Sequence, residues 1–214
     1  NQTEKYSDIQ EFAHEFGHSF HAFRIGKDGV SASSDICELA SYGMEMLIMH
    51  NYISFFNDNS SDIVYSDFYE KLALMLLTTF MDDFQYQIYK DPFLTAKERN
   101  ALYADLYKEY FIGTVYTHEA KERGICWTNP THLFTVPYYS IDYTLALTVA
   151  FQLWEIGNKE GFDKEFETYM EILETPFIDY NISYVAVGAG LTSPFKKGII
   201  KKLSEDLDAI FKLN

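Results

Sequence analysis

The chain has 214 residues, of which 47% are hydrophobic and 17% aromatic, so it can bury the core of one large domain or at most two small ones. Lys and Arg number 17 against 32 Asp and Glu, a formal charge of -15, which excludes a basic surface for nucleic acid or an anionic membrane. Two cysteines give no disulfide framework, no apolar run approaches the about 20 residues of a membrane helix, and the first residues show no signal segment, so a cytoplasmic location is expected.

Helical periodicity runs along most of the chain. Apolar residues recur at intervals of three and four, and Pro and Gly interrupt the pattern between segments. The sequence predicts helices over residues 7–26, 35–56, 61–90, onward from a Thr95–Glu98 capping box, 139–156, 162–174, 178–187 and from Ser193–Pro194 to Leu213. The predicted fold class is all-α, a single mainly helical domain over residues 1–214 with few and short strands.

The first predicted helix contains the stretch "HEFGHSFH", residues 14–21. His14 and His18 lie one turn apart on the same face, so both imidazoles can reach one tetrahedral zinc ion. Glu15 points to the side of that face, where a carboxylate can take a proton from a metal-activated water without binding the metal. Gly17 leaves space for a substrate or a neighbouring helix. The H-E-x-x-H spacing predicts a zinc site, and the alternative is a helix that is rich in His by chance.

A catalytic zinc needs a third protein ligand and an open fourth position. His21 returns to the face of His14, but a rise of about 10.5 Å separates them, too far for both to bind one metal, so His21 is expected to line the cleft or to pack. Glu38 begins the next helix at the spacing used by glutamate-ligand zinc peptidases typified by thermolysin, although it could instead form a capping box with Asp35. Glu45 shares the face of Glu38 and could orient a ligand histidine or face solvent.

Three motifs in this order carry a family resemblance: "FAHEFGHSFH", "DICELASYGMEML" and "THLFTVPYYSIDY". Together with the closing "GAGLTSPF", they resemble oligoendopeptidase F and, more broadly, the thimet oligopeptidase family of zinc peptidases, from Ile9 to the end of the chain. The resemblance implies a helical, gluzincin-type catalytic domain in which His14, His18 and Glu38 bind zinc and Glu15 is the general base. The family cuts peptides of limited length inside a deep channel.

The same resemblance implies a second part of the enzyme. In the family, another helical lobe precedes the metal motif in sequence, and this chain begins shortly before that motif. The chain is therefore expected to be the C-terminal catalytic portion of a longer enzyme, with the missing N-terminal lobe and an oligopeptide substrate as its partners.

The third motif lies in a segment predicted to be irregular, "GICWTNPTHLFTVPYY", because prolines break its periodicity. Attack of water on a peptide carbonyl builds an oxyanion, which hydrogen-bond donors such as Tyr and His stabilise. The resemblance implies that His132, with Tyr138 as its neighbour, binds substrate and that Tyr139 and Tyr143 stabilise the oxyanion. With 17 tyrosines in the chain, a local group of aromatic core residues is the alternative.

These residues predict a zinc metallo-endopeptidase that hydrolyses internal bonds of oligopeptides by a metal-activated water, with Glu15 as general base. Two alternatives stay open. One is a zinc exopeptidase of related chemistry, which a group of residues binding a free peptide terminus would favour. The other is an inactive fragment that binds zinc without turnover, because the missing lobe would supply the opposite wall of the channel.

Overall fold

The structure is a computed structural model that describes residues 6–25, 32–56, 60–112, 125–174 and 181–211. Within these ranges the α-helices are α1 (Tyr6–Ile25), α2 (Ser34–Met49), α3 (Tyr52–Phe56), α4 (Ser60–Lys90), α5 (Ala96–Tyr110), α6 (His132–Thr135), α7 (Ser140–Glu160), α8 (Phe162–Glu174), α9 (Ile182–Gly188) and α10 (Ile199–Phe211), and Cys126–Thr128 forms a 3₁₀ helix. None of the described residues forms a strand. The predicted all-α class is confirmed.

Most predicted helices are present, and their ends differ from the predicted ones where a turn interrupts or delays a helix. The capping box of Thr95 and Glu98 is formed at the start of α5. The helix predicted over 35–56 is interrupted, because α2 ends at Met49 and α3 begins at Tyr52. The last helix begins at Ile199 and not at Ser193–Pro194, since Gly198 has a φ of 85°, outside helical geometry. The predicted start of the 178–187 helix lies outside the described residues.

The described residues group into two compact units, Asn1–Lys71 with Leu145–Asn214, and Leu72–Thr144. In the first unit, Phe68 packs against Phe151 and Trp154 with ring centroids 5.0 and 4.3 Å apart. The core of the second unit is built by five buried residues: Phe80, Met81, Phe84, Tyr103 and Leu133. The single catalytic domain predicted over residues 1–214 stays a prediction.

Helices α1 and α2 pack closely in the first unit, and Gly17 makes this possible. A Cβ built on Gly17 would lie 2.6 Å from Cα of Ser41 and 2.9 Å from the carbonyl oxygen of Ala40. Both are backbone atoms of α2, which cannot move aside as a flexible side chain could. Of the two uses predicted for this glycine, the structure shows the approach of a neighbouring helix.

Replacing Gly17 by Ala is expected to destabilise the chain by about 1–3 kcal/mol, because the two helices must separate to admit the methyl group. Alanine is a better helix former than glycine by about 1 kcal/mol, so helix propensity alone predicts that the substitution stabilises the chain. Gly188→Ala in α9 is the matched control, since its Cβ would meet nothing within 4 Å. Urea unfolding of both variants checks this, and equal effects at the two positions would contradict the packing argument.

None of the helices in the described ranges is long and apolar enough to span a bilayer.

Candidate metal centre

The first unit brings together the three residues predicted to bind metal. One ligand atom from each of His14, His18 and Glu38 lies within 4.8 Å of the other two. The rings of His14 and His18 stand edge to face with centroids 4.8 Å apart, and Nε2 of His14 lies 3.4 Å from Oε2 of Glu38. The histidines are half-buried and Glu38 is buried. Two nitrogen donors and one carboxylate oxygen therefore face a common point.

The structure rejects the capping alternative for Glu38. Helix α2 has Ser33 as its N-cap residue, without a side-chain cap, and Asp35 lies inside the first turn. The carboxylate of Asp35 accepts a hydrogen bond from the amide of Ile36, its own neighbour. Glu38 is only 4% exposed and faces His14. Its carboxylate is therefore directed into the cluster and not to the end of the helix.

Glu45 is the fourth side chain at this point. It is 5% exposed, so the solvent-facing alternative is wrong, and its Oε1 lies 2.7 Å from Nδ1 of His14. A neutral His14 that donates from Nδ1 to Glu45 carries its free lone pair on Nε2, the nitrogen that faces Glu38. Such a carboxylate–histidine pair fixes both the tautomer and the ring orientation of a metal ligand.

The charges of the cluster favour a bound cation. Burial lowers the pKa of His14, but the hydrogen bonds and charges of Glu38 and Glu45 outweigh burial and raise its pKa to about 9. Without metal, this negative environment holds a proton on His14, which a metal ion would displace. The donor set, two imidazoles and a carboxylate in a negative environment, fits zinc, which binds nitrogen and oxygen ligands with one position left for water.

Glu15 and His21 lie on the same helix but outside the cluster. Glu15 is exposed, and one residue of helix turns it about 100° away from His14. His21 is 2% exposed, so it packs in the interior and does not line a cleft. Burial, with a smaller contribution from His18, lowers the pKa of His21 to about 4, and the ring is neutral at pH 7.

The second unit contains the four residues predicted from the third motif. His132 begins α6, and its ring centroid lies 5.0 Å from that of Tyr139. The hydroxyl of Tyr143 donates to the hydroxyl of Tyr139 over 3.1 Å, one turn apart at the start of α7. His132, Tyr139 and Tyr143 therefore form one group. Tyr138 is 41% exposed and packs against Tyr89 instead, with ring centroids 5.4 Å apart.

The backbone of this segment is strained at Tyr138, whose φ of 60° lies in the left-handed region. Its amide donates to Oε1 of Gln85 over 2.7 Å, and Nε2 of the same side chain donates to the carbonyl of Leu133 over 3.2 Å. Gln85 is 1% exposed, and the two hydrogen bonds of its side chain hold the loop at two points. The sequence contained no signal for this role, since a single Gln in a long helix is typical of a solvent-facing residue.

Two histidines of an H-E-x-x-H helix and a glutamate of the next helix, directed to one point, are the arrangement expected of a metallopeptidase. The chain belongs to peptidase family M3, whose model matches residues 1–175. The family resemblance of the three sequence motifs is thereby confirmed.

Solved structures agree with this assignment at the level of fold. A protein described as an oligoendopeptidase F is 24% identical, with a TM-score of 0.89 over 100% of this chain and 38% of its own. Pz peptidase A with an inhibitor is 23% identical, with a TM-score of 0.89 over 99% of this chain and 38% of its own. A second protein described as an oligoendopeptidase F, from Bacillus anthracis, is 22% identical, with a TM-score of 0.79 over 100% of this chain and 36% of its own. The chain thus spans less than half the length of these structures. A comparison with curated proteins found no match.

Proposed function

We propose that the chain carries the catalytic centre of a zinc metallo-endopeptidase that hydrolyses internal bonds of oligopeptides. The observation that carries this proposal is the convergence of His14 and His18 of α1 with Glu38 of α2, whose ligand atoms lie within 4.8 Å of one another. Glu15 lies on α1 between the two histidines. Membership of peptidase family M3 supports peptide hydrolysis. The name of a similar structure, oligoendopeptidase F, supports internal cleavage of short peptides.

Bound at this cluster, zinc would act as a Lewis acid that makes water nucleophilic at neutral pH and polarises the peptide carbonyl. Glu15 takes the proton of the attacking water and passes it to the leaving amine. Its position beside the ligand face suits this role, because a carboxylate that bound the metal would be a weaker base. Glu45 holds His14 with its Nε2 lone pair toward the metal position.

Tyr139 and Tyr143 are assigned to the oxyanion, and His132 with Tyr138 to substrate binding. Phenol and imidazole groups are the donors that this chemistry needs, and the resemblance of their segment supports the assignment. The hydroxyl of Tyr143 donates to that of Tyr139 over 3.1 Å, so the two phenols form one pair.

Tyr139→Phe and Tyr143→Phe are each expected to reduce kcat more than they raise KM, because hydrogen bonds to an oxyanion form fully only in the transition state. The loss is expected to be on the order of 10²-fold for the tyrosine that contacts the oxyanion directly. Steady-state kinetics on one peptide check this. Tyr184→Phe, a 52% exposed tyrosine of α9, is the control. Equal changes in kcat and KM would point to simple substrate binding.

An N-terminal lobe of the same enzyme is proposed as the second wall of the substrate channel, and a cytoplasmic location stays a prediction. The proposed function is tested by incubating the chain with internally quenched peptides and identifying the products by mass spectrometry. Cleavage at internal bonds that a chelator stops and added zinc restores is the expected result. Release of single terminal residues would favour the exopeptidase, and zinc binding without any cleavage would favour the inactive alternative.

A further inference from the structure

Behind Glu45, the first unit contains a line of buried charges that the proposed chemistry does not use. The second carboxylate oxygen of Glu45 lies 2.6 Å from Nζ of Lys71, which also pairs with Oδ1 of Asp67. The other oxygen of Asp67 accepts a hydrogen bond of 2.9 Å from the hydroxyl of Tyr52. The exposed fraction is at most 5% for each of these four residues, which we call the Lys71 network.

The placement of Lys71 and Asp67 is costly for stability alone. An Asp and a Lys four residues apart on a helix normally form a solvent-facing pair that adds little to stability. Here both are withdrawn from water, where well-packed apolar residues often stabilise a protein as well or better. A buried ion pair in this position therefore calls for a role other than holding α2 and α4 together.

The contacts of Lys71 and Asp67 are suited to orienting the carboxylate of Glu45. One oxygen of this carboxylate faces His14 at 2.7 Å and the other faces Lys71 at 2.6 Å, so rotation of the group would break both contacts. Lys71 is in turn held by Asp67, and Asp67 by Tyr52. A carboxylate fixed in this way keeps the proton of His14 on Nδ1 and its lone pair on Nε2.

The charges of the group also match a divalent ion. When ionised, the carboxylates of Glu38, Glu45 and Asp67 and the ammonium of Lys71 leave an excess of two negative charges. A dication would balance this excess. Without Lys71 the excess would be three, and the second oxygen of Glu45 would lose the cation that it faces.

We propose that Lys71 and Asp67 are positioning residues of the metal centre, which hold Glu45 against His14 and thereby raise the affinity for zinc. This inference rests on the proposed function, because it assumes that His14 is a metal ligand. The network extends the support of the centre from α2 to the buried face of α4.

The test is the zinc affinity of the double variant Lys71→Met/Asp67→Asn, measured by competition with a chromophoric chelator. This change removes one positive and one negative charge, so the net charge of the group is preserved, and the Asn oxygen can still accept from Tyr52. Zinc affinity is expected to fall by about 10-fold or more, as for other residues that orient metal ligands. The visible spectrum of the Co²⁺-substituted chain is expected to change with it.

The matched control is Lys159→Met/Glu155→Gln, which removes another Lys–carboxylate pair four residues apart in the same unit. Its zinc affinity is expected to equal that of the unaltered chain. Should the Lys71 double variant fail to fold, Tyr52→Phe removes only the far hydroxyl and is expected to lower zinc affinity in the same direction, by a smaller factor. Unchanged or increased affinity in the folded variants would overturn the proposal.

The unaltered chain and His18→Ala separate this inference from the proposed function. If the unaltered chain binds zinc no better than His18→Ala, the metal centre itself is wrong, and the positioning role falls with it. If the unaltered chain binds zinc tightly and the Lys71 double variant binds it equally well, only the positioning role is wrong.

Discussion

Glu15→Gln is expected to lower kcat by about 10²–10⁴-fold while the chain keeps its zinc. General acid–base catalysis contributes about this factor, and the amide of Gln can neither take the proton of the attacking water nor return it to the leaving amine. Zinc is retained because Glu15 lies beside the face of His14 and His18 and binds no metal itself. Glu15 is exposed, so the fold is expected to be unchanged.

Peptide cleavage and zinc content of Glu15→Gln are measured together. Glu11→Gln is the matched control, since Glu11 is an exposed glutamate one turn earlier on the same helix. The control is expected to keep both zinc and turnover. Loss of zinc in Glu15→Gln would contradict the role of general base, and full turnover in the presence of zinc would show that another group moves the proton.

Glu38→Gln is expected to weaken zinc binding by more than about 100-fold. Substitution of a residue that orients a metal ligand already lowers metal affinity by about 10–100-fold. Loss of the charge of a ligand itself is expected to lower the affinity by more. The amide keeps the volume of the carboxylate, so the space beside His14 stays filled and the packing of α2 is preserved. Turnover at limiting zinc is expected to fall with the affinity, because a bound zinc would supply the Lewis acid of the reaction.

Zinc affinity of Glu38→Gln is compared with that of Asp35→Asn, which alters an acidic residue in the first turn of the same helix but outside the cluster. The control is expected to bind zinc as the unaltered chain does. Equal affinities in the two variants would place the third ligand elsewhere.

The helical fold could be predicted from the sequence because its periodicity is local. The repeat of apolar residues in α4 and α7 indicates helices without reference to anything distant in the chain. Helix ends were less predictable, since they depend on a few backbone angles. The φ of 85° at Gly198 delays α10, and the turn after Met49 separates α2 from α3 in a segment whose apolar pattern is continuous.

For the candidate site, the sequence was informative only where spacing along one helix determines geometry. His14 and His18 must share a face if their segment is helical. Glu38 could be proposed as a ligand only by comparison with known zinc peptidases, because a loop of unknown course separates it from α1. The role of Glu45 stayed open, since its burial depends on what packs against α2.

Long-range electrostatics could not be predicted from the sequence. Asp67 and Lys71 are indistinguishable in sequence from a pair on a solvated helix face, and only the tertiary structure shows that they are buried and that Lys71 contacts Glu45. The strained backbone of Tyr138 and its support by Gln85 likewise arise from a contact between residues 53 positions apart. Such features depend on tertiary structure and leave no periodic signature.

His14, His18 and Glu38 are proposed to form one zinc site. Its most direct test is the metal content of the purified chain after dialysis, measured by elemental mass spectrometry. About one zinc per chain, lost in His18→Ala, is the result expected for a site with these three ligands. A folded chain that holds no zinc, even after zinc has been added back, would contradict it.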